Sequence, residues 1–300
     1  MPRGRSVGGL MRWSNVIADA ARQLDVAGIP SPGVDARELA EAVAGHPLPV
    51  DVAGDKQLAE FEGMLERRLD RQPLQLITGH MYFRYLDLPA TPGVFITRPE
   101  TEWMTQDAVD VARRLPAGSI VLDACTGSGA IALSIATEVP HLRVIGVDIS
   151  PVAIDAAHRA IQATERAQAR QIPIDMRIGD VLSSSSSVLD DIEGKVQLLV
   201  ANPPYIPELD RGKNMQPELA WDPPAALWGG SEDGLAFPRA LIGRARTLLA
   251  PKGMLIMEHD ERQAMDLRRA ASEAGFSSVS TGDDLAGRPR WLRAQWDGDR

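Results

Sequence analysis

The residues best suited to chemistry in this 300-residue chain stand where apolar runs stop. Val196, Leu198, Leu199 and Val200 lead through Ala201 into Asn202-Pro203-Pro204-Tyr205. The run reads as a buried strand. Two prolines cannot extend a sheet ladder, and each holds the residue before it extended. Asn202 is therefore expected at the mouth of the strand, offering a fixed carboxamide oxygen that suits gripping an NH2 group. An ordinary strand exit would use the same four residues. Ile120-Val121-Leu122 runs into Asp123-Ala124-Cys125-Thr126-Gly127-Ser128-Gly129, a turn whose glycines let backbone approach a ligand where a larger side chain would collide. Asp148 ends the next run, 19 residues beyond Gly129, a spacing that offers a carboxylate to both hydroxyls of a ribose. Capping the helix that opens at Pro151 is its other use. Asp180 ends a third run, where it could accept from an adenine amino group or simply make a turn, and Val181 could pack on the adenine face.

The elements that must hold these residues follow from periodicity. Residues 13 to about 80 read as helices: Val16, Ile17, Ala20, Ala21 and Leu24 share one face, and Gly28 with Pro30 ends it. Asp35, with Glu38 three residues on, reads as the cap of a second helix whose apolar face is Ala36, Leu39, Ala40 and Val43. Leu58, Phe61, Met64, Leu65 and Leu69 give a third. No catalytic cluster falls on these helices, so residues 1–80 are expected to form a small domain for substrate recognition or a purely structural cap. Residues 81–92 alternate aromatic and apolar side chains, as a hairpin linker would. From residue 93 to 300 strands alternate with helices: strands at 120–122, 142–147, 174–178, 196–200 and 254–257, helices after Gly129, after Pro151, over 235–249 and over 263–274, and two closing strands at 276–280 and 291–295. Such alternation implies an α/β fold with a mainly parallel sheet covered on both faces. In such sheets ligands bind beyond the carboxyl ends of the strands, where the residues above fall. Ser183–Ser187 reads as a solvated loop without a role.

Composition narrows the partners. Hydrophobic residues make up 44% and charged residues 24%, enough for a sizeable core. The net charge of −9 argues against a broad nucleic-acid surface, which needs a basic patch. A single cysteine, Cys125, allows no intrachain disulfide and fits a reducing compartment. The basic start, Met1-Pro2-Arg3-Gly4-Arg5, is followed by no apolar leader, and no run approaches the roughly 18 apolar residues of a membrane span. A cytoplasmic monomer with no metal, no membrane and no direct nucleic-acid contact is the expectation.

A dinucleotide enzyme would share the Gly-to-Asp spacing, but the turn is not G-x-G-x-x-G and Asn-Pro-Pro-Tyr has no part in hydride transfer. The domain resembles a class I S-adenosylmethionine-dependent methyltransferase, which implies a Rossmann-like, seven-stranded, mostly parallel sheet. Asn202-Pro203-Pro204-Tyr205 is similar to the signature of those that methylate a planar amide or exocyclic amine nitrogen. Gly93-Val94-Phe95-Ile96 followed by Arg98-Pro99-Glu100-Thr101-Glu102 resembles the R-P-E-T-E block of the HemK/PrmC family, which methylates the N5 nitrogen of a glutamine in peptide-chain release factors. Arg67-Arg68 through Gln75-Leu76-Ile77-Thr78-Gly79, Pro217-Glu218 with Ala226-Leu227, Glu258-His259 with Gln263, and Asp284-Leu285-Ala286-Gly287 with Arg290 extend the likeness over roughly residues 65–295. It implies a cofactor site at Asp123, Cys125, Thr126, Gly127, Ser128, Gly129, Asp148, Asp180, Val181 and Asn202. It implies a substrate site at Phe95, Arg98, Pro99, Glu100, Glu102 and Asn202 through Tyr205. The substrate would be the Gly-Gly-Gln loop of a release factor.

The sequence departs from the pattern at Cys125, where the turn usually has its first glycine, at Thr97, usually proline, and at Asp260, usually glycine. Cys125 is expected to be a small buried side chain pointing to the core and not a nucleophile. In the implied mechanism Asn202 Oδ1 and the Pro203 carbonyl each accept one amide hydrogen, and Tyr205 and Phe95 form apolar walls. Arg98 anchors its loop through a carboxylate or holds substrate. Glu100 and Glu102 contact substrate or cofactor, or cap a helix beginning near Thr101. Glu258 pairs structurally or serves the site. Three other readings stand: glutamine methylation of a ribosomal protein, adenine-N6 methylation of a flipped base, and a cofactor-binding module without turnover.

Overall fold

The computed structural model describes residues 11–46, 52–184, 188–213 and 215–298. The basic start and Ser185–Ser187 of the serine run lie outside them. Contacts divide the chain into two compact units, Met1–His80 and Met81–Arg300.

The first unit pairs a minimal strand β1 (Met11–Arg12) with β2 (Val52–Ala53), a bridge too short to leave a sequence pattern. Around it lie α1 (Trp13–Val26), α2 (Pro32–Ala44), α3 (Asp55–Leu69) and α4 (Leu74–Thr78). Trp13, Val16, Ala20 and Leu24 of α1 meet Ala36, Leu39 and Ala40 of α2 and Phe61 and Leu65 of α3 in one core. Trp13 and Phe61 pack edge to face, 5.7 Å between ring centroids, a geometry that suits the ring quadrupoles. Asp35 does not cap α2. The helix opens one turn earlier at Pro32, whose fixed φ and missing N–H suit the first helical position. Asp35 is instead buried inside the first turn and accepts from Arg68 Nε at 2.7 Å.

β3 (His80–Phe83) starts at the last residue of the first unit and, paired with β4 (Leu86–Pro89) through the turn Arg84–Tyr85, opens the second. Next come α5 (Thr101–Ala112), β5 (Ile120–Ala124), α6 (Ala130–Glu138), β6 (Arg143–Asp148), α7 (Pro151–Gln168), β7 (Ile174–Ile178) and β8 (Val196–Ala201). The chain closes with α8 (Ala236–Leu248), β9 (Leu249–Glu258), α9 (Ala264–Glu273), β10 (Ser277–Asp283) and β11 (Pro289–Gln295). Seven strands form one sheet in the order β10-β11-β9-β8-β5-β6-β7. The ladders from β7 to β9 are parallel, and β11 runs antiparallel to both of its neighbours. This is the strand order of a class I methyltransferase. Leu122, Ile145, Leu199, Leu255 and Leu292 are buried across it, which is why the central strands read as unbroken apolar runs. The chain steps outward from β5 to β6 and β7, then returns to β8 on the other side of β5, so the sheet's switch point lies between β5 and β8. No helix among the described residues is long and apolar enough to cross a membrane.

Candidate active site

Register lines the chemistry up. Ala124 stands opposite Val147 and Ala201, and Ala201 stands opposite Met257. The next residues along these four strands are Cys125, Asp148, Asn202 and Glu258. Parallel pairing thus puts three carboxamide or carboxylate side chains and the turn that follows β5 along one edge of the sheet, at its switch point. Cys125, Asp148 and Asn202 line a pocket there.

The turn after β5 is held from beneath. Asp123 is fully buried within the strand and accepts from Thr126 Oγ1 at 2.6 Å and from the Ala132 amide at 3.1 Å. It is absent from the pocket lining, and its two bonds fix the turn. Burial pushes its carboxyl up to about 7. Cys125 and Gly127 both have positive φ, 59° and 55°. A Cβ on Gly127 would meet no atom within 4 Å, so the backbone angle, not a collision with protein, favours glycine there. At Gly129, with φ 79°, a Cβ would lie 3.1 Å from that of Ala157 on α7. This glycine faces away from the pocket and lets α6 pack close to α7. Cys125 borders both the pocket and the core, and burial raises its pKa well above the usual value, which disfavours the thiolate. Ser128 lines the pocket with a buried hydroxyl that has no hydrogen-bond partner, a group a polar ligand would satisfy.

Asp148 is fixed through both oxygens: Oδ2 accepts from the Gly127 amide and Oδ1 from the Ser150 amide, each at 2.9 Å. The helix α7 is capped not by Asp148 but by Ser150, whose Oγ accepts from the Ala153 amide. Burial raises the Asp148 pKa while these amides lower it. Each carboxylate oxygen keeps a lone pair for a ligand. Asp180 lies at the exposed rim, one oxygen closing a turn by accepting from the Leu182 amide at 2.9 Å, and Val181 is buried in the lining. Turn and ligand roles are therefore compatible in Asp180.

The lining also includes Val94, Phe95 and Thr97 with Pro204, Pro223, Ala226 and Phe237. Asn202 points its Nδ2 at Thr101 Oγ1, 3.3 Å away. The loop it opens is clamped by Gln263, whose Nε2 donates to the carbonyls of Tyr205 and Asp233 at 2.8 Å each. Asp260, the departure from glycine, caps the turn that carries Gln263 by accepting from the Arg262 amide at 3.0 Å.

Several expected ligand contacts have other duties. Tyr205 is not an apolar wall: its hydroxyl donates to Glu258 Oε1 at 3.0 Å, outside the pocket lining. A phenol next to a buried carboxylate is drawn to donate to it. Burial pushes Glu258 up to about 7, with the Thr101 and Tyr205 hydroxyls pulling the other way. Pro203 is buried and absent from the lining, whereas Pro204 is part of it. Arg98 anchors its loop through Asp222, and its guanidinium lies 5.1 Å from the centroid of the Phe95 ring. Pro99 is exposed beside it. Glu100 precedes α5 without capping it by its side chain and lies 3.9 Å from Arg288. Glu102 accepts from the Arg84 amide at 3.0 Å and so ties the hairpin turn to α5.

Asp222 went unread in the sequence. Its carboxylate is buried, holding the Ile96 amide at 3.1 Å and the Arg98 side chain. A signal existed: Asp222-Pro223-Pro224 repeats the form of Asn202-Pro203-Pro204, a polar side chain before two prolines. Thr101 and Gln263 gave no signal beyond motif membership.

Two family models match the chain: a PrmC N-terminal domain over residues 15–79 and a methyltransferase domain over residues 115–284. A release factor glutamine methyltransferase of Bifidobacterium longum is 42% identical over 295 residues, covering 95% of this chain and 99% of the relative. Another, of Streptomyces coelicolor, is 39% identical over 288 residues, covering 93% and 96%. Among solved structures, the release-factor-specific protein-(glutamine-N5) methyltransferase of Alicyclobacillus acidocaldarius is 26% identical and covers 70% of this chain and 99% of its own, with a TM-score of 0.40. Given relatives matched nearly end to end at this identity, the chain belongs to the release factor glutamine methyltransferase family.

Proposed function

We propose that this protein transfers the methyl group of S-adenosylmethionine to the N5 side-chain nitrogen of the glutamine in the Gly-Gly-Gln loop of peptide-chain release factors. The observation that carries the reading is one pocket lined by both Asn202 and Asp148, whose charged lining among the described residues is Asp148 and Asp180, with no Lys, Arg or His. Such a lining favours a cationic, phosphate-free ligand over a dinucleotide. S-adenosylmethionine fits: Asp148 would take ribose hydroxyls, Asp180 and Val181 the adenine, and Ser128 Oγ with the turn amides the amino-acid end. When bound, it supplies a sulfonium methyl open to nucleophilic attack.

The chain's own part is positioning and electrostatics. A glutamine amide nitrogen is a weak nucleophile because its lone pair is delocalised into the carbonyl. Asn202 Oδ1 accepts one of its hydrogens, which turns the nitrogen and stabilises the positive charge that grows on it. Phe95 and Pro204 flank the flat amide and exclude water. The methylated nitrogen is acidic enough to lose its proton without a dedicated base. The helical unit, with its own core, is read as the part that recognises the release factor.

Labelled methyl transfer offered in parallel to a release factor, a ribosomal protein and DNA tests the reading. Label in the release factor is the expected result. Label in DNA alone, in the ribosomal protein alone or in no substrate would overturn it.

A further inference from the structure

The two ends of the Asn202 carboxamide have nearly the same shape and opposite hydrogen-bonding character. Packing cannot choose which end faces the pocket; a hydrogen-bond partner must. In the structure the Nδ2 end donates to Thr101 Oγ1 at 3.3 Å. Thr101 is fully buried at the first residue of α5, and its carbonyl accepts from Thr105 Oγ1 at 2.8 Å, so the helix end is fixed from within. The Thr101 hydroxyl also acts on Glu258, lowering its pKa against the effect of burial. The Tyr205 hydroxyl holds the same carboxylate from the other end of the loop.

We propose that Thr101 is a positioning residue: its hydroxyl engages Asn202 Nδ2 and so presents Oδ1, not the NH2 group, to the nitrogen that is methylated. The proposal rests on the glutamine-methylating reading above. A reversed carboxamide would set donor against donor, losing the bond to the substrate and repelling the charge that forms on it.

The test is methyl transfer by Thr101→Val, Thr101→Ser, Asn202→Ala and the double variant Thr101→Val/Asn202→Ala, with cofactor affinity measured for each. Valine keeps the shape and removes the hydroxyl. We expect Thr101→Val to lower kcat by about 10- to 100-fold, with KM for the release factor and cofactor Kd within roughly twofold of wild type. Thr101→Ser should recover to within roughly threefold of wild type, and Thr101→Val should cost less than about threefold on top of Asn202→Ala. Serine as impaired as valine, or independent effects in the double variant, would point to a purely structural role and overturn the proposal. A wild type that methylates glutamine, with Thr101→Val unimpaired, overturns the proposal alone. A wild type that leaves glutamine unmethylated overturns the functional reading and the proposal with it.

Discussion

Asp222 carries one wall of the pocket, and removing it should show how much. Its side chain is 1% exposed, and it accepts from the Ile96 amide while pairing with Arg98, which is 28% exposed. Asp222→Ala strands the buried Ile96 N–H, at a cost of about 1–3 kcal/mol. Arg98 can turn to water, so the ion pair itself adds only about 1 kcal/mol. Burial already raises the Asp222 pKa against the pull of Arg98 and the Ile96 amide, so its charge brings little net stability. Asp222→Asn retains an acceptor for Ile96, while its NH2 group replaces the oxygen that accepts from Arg98, which then turns to water. We expect Asp222→Ala to destabilise the Met81–Arg300 unit by about 2–4 kcal/mol and Asp222→Asn by no more than about 1 kcal/mol. At about 2–4 °C per kcal/mol for a unit of this size, alanine should lower Tm by roughly 5–15 °C and asparagine by a few degrees. The wall formed by Val94, Phe95 and Thr97 should loosen with it, so cofactor affinity should fall in the same order. Thermal melts with a calorimetric titration of S-adenosylmethionine check both. Asparagine as damaging as alanine would show that the charge, not the Ile96 bond, holds the loop, and an unchanged alanine variant would refute the reasoning altogether.

Other perturbations test other parts of the site. Cys125→Gly relieves a side chain at φ 59°, gaining about 1 kcal/mol that the freer unfolded chain largely offsets, so Tm should stay within a few degrees; Cys125→Val should lose clearly more in the same melt. Asp148→Ala frees the Gly127 and Ser150 amides as well as removing the ligand contact proposed for it, and should weaken cofactor binding at least about 30-fold by titration. Glu258 has a folded-state pKa of about 7 against 4.5 ordinarily, so the native state holds a proton that the unfolded chain has lost. Stability from this group is full below about pH 4.5 and is lost as pH rises towards 7. Glu258→Gln should therefore melt higher than wild type at pH 8, by up to about 3 kcal/mol, with the gap closing towards pH 5; Tm curves that stay parallel across that range would contradict it.

The sheet and the edge carrying the site were legible because buried parallel strands leave apolar runs, and the polar residue ending each run marks the carboxyl edge. Asp148 and Asn202 were readable for that reason alone. Pairings over long sequence separations were not. Arg98 with Asp222, Tyr205 with Glu258, and Asn202 with Thr101 join residues that only the folded sheet brings together. Asp35 was misread for a related cause: its local pattern fits a cap, but Pro32 begins the helix earlier and Arg68 supplies a partner from another helix. Asp123 belongs to the same motif as its neighbours, yet it lies inside β5 and is buried there, whereas the motif's share of the pocket lining starts at Cys125, past the end of the strand.

Asn202 is proposed to grip the nitrogen that receives the methyl group. Fragment mass spectrometry of a release factor incubated with S-adenosylmethionine and either wild-type protein or Asn202→Ala, at matched cofactor occupancy, tests it most directly. With wild type a methyl group is expected on the glutamine of the Gly-Gly-Gln loop, and with Asn202→Ala a rate lower by about 100-fold or more. Equal methylation of that glutamine by the two proteins would contradict it.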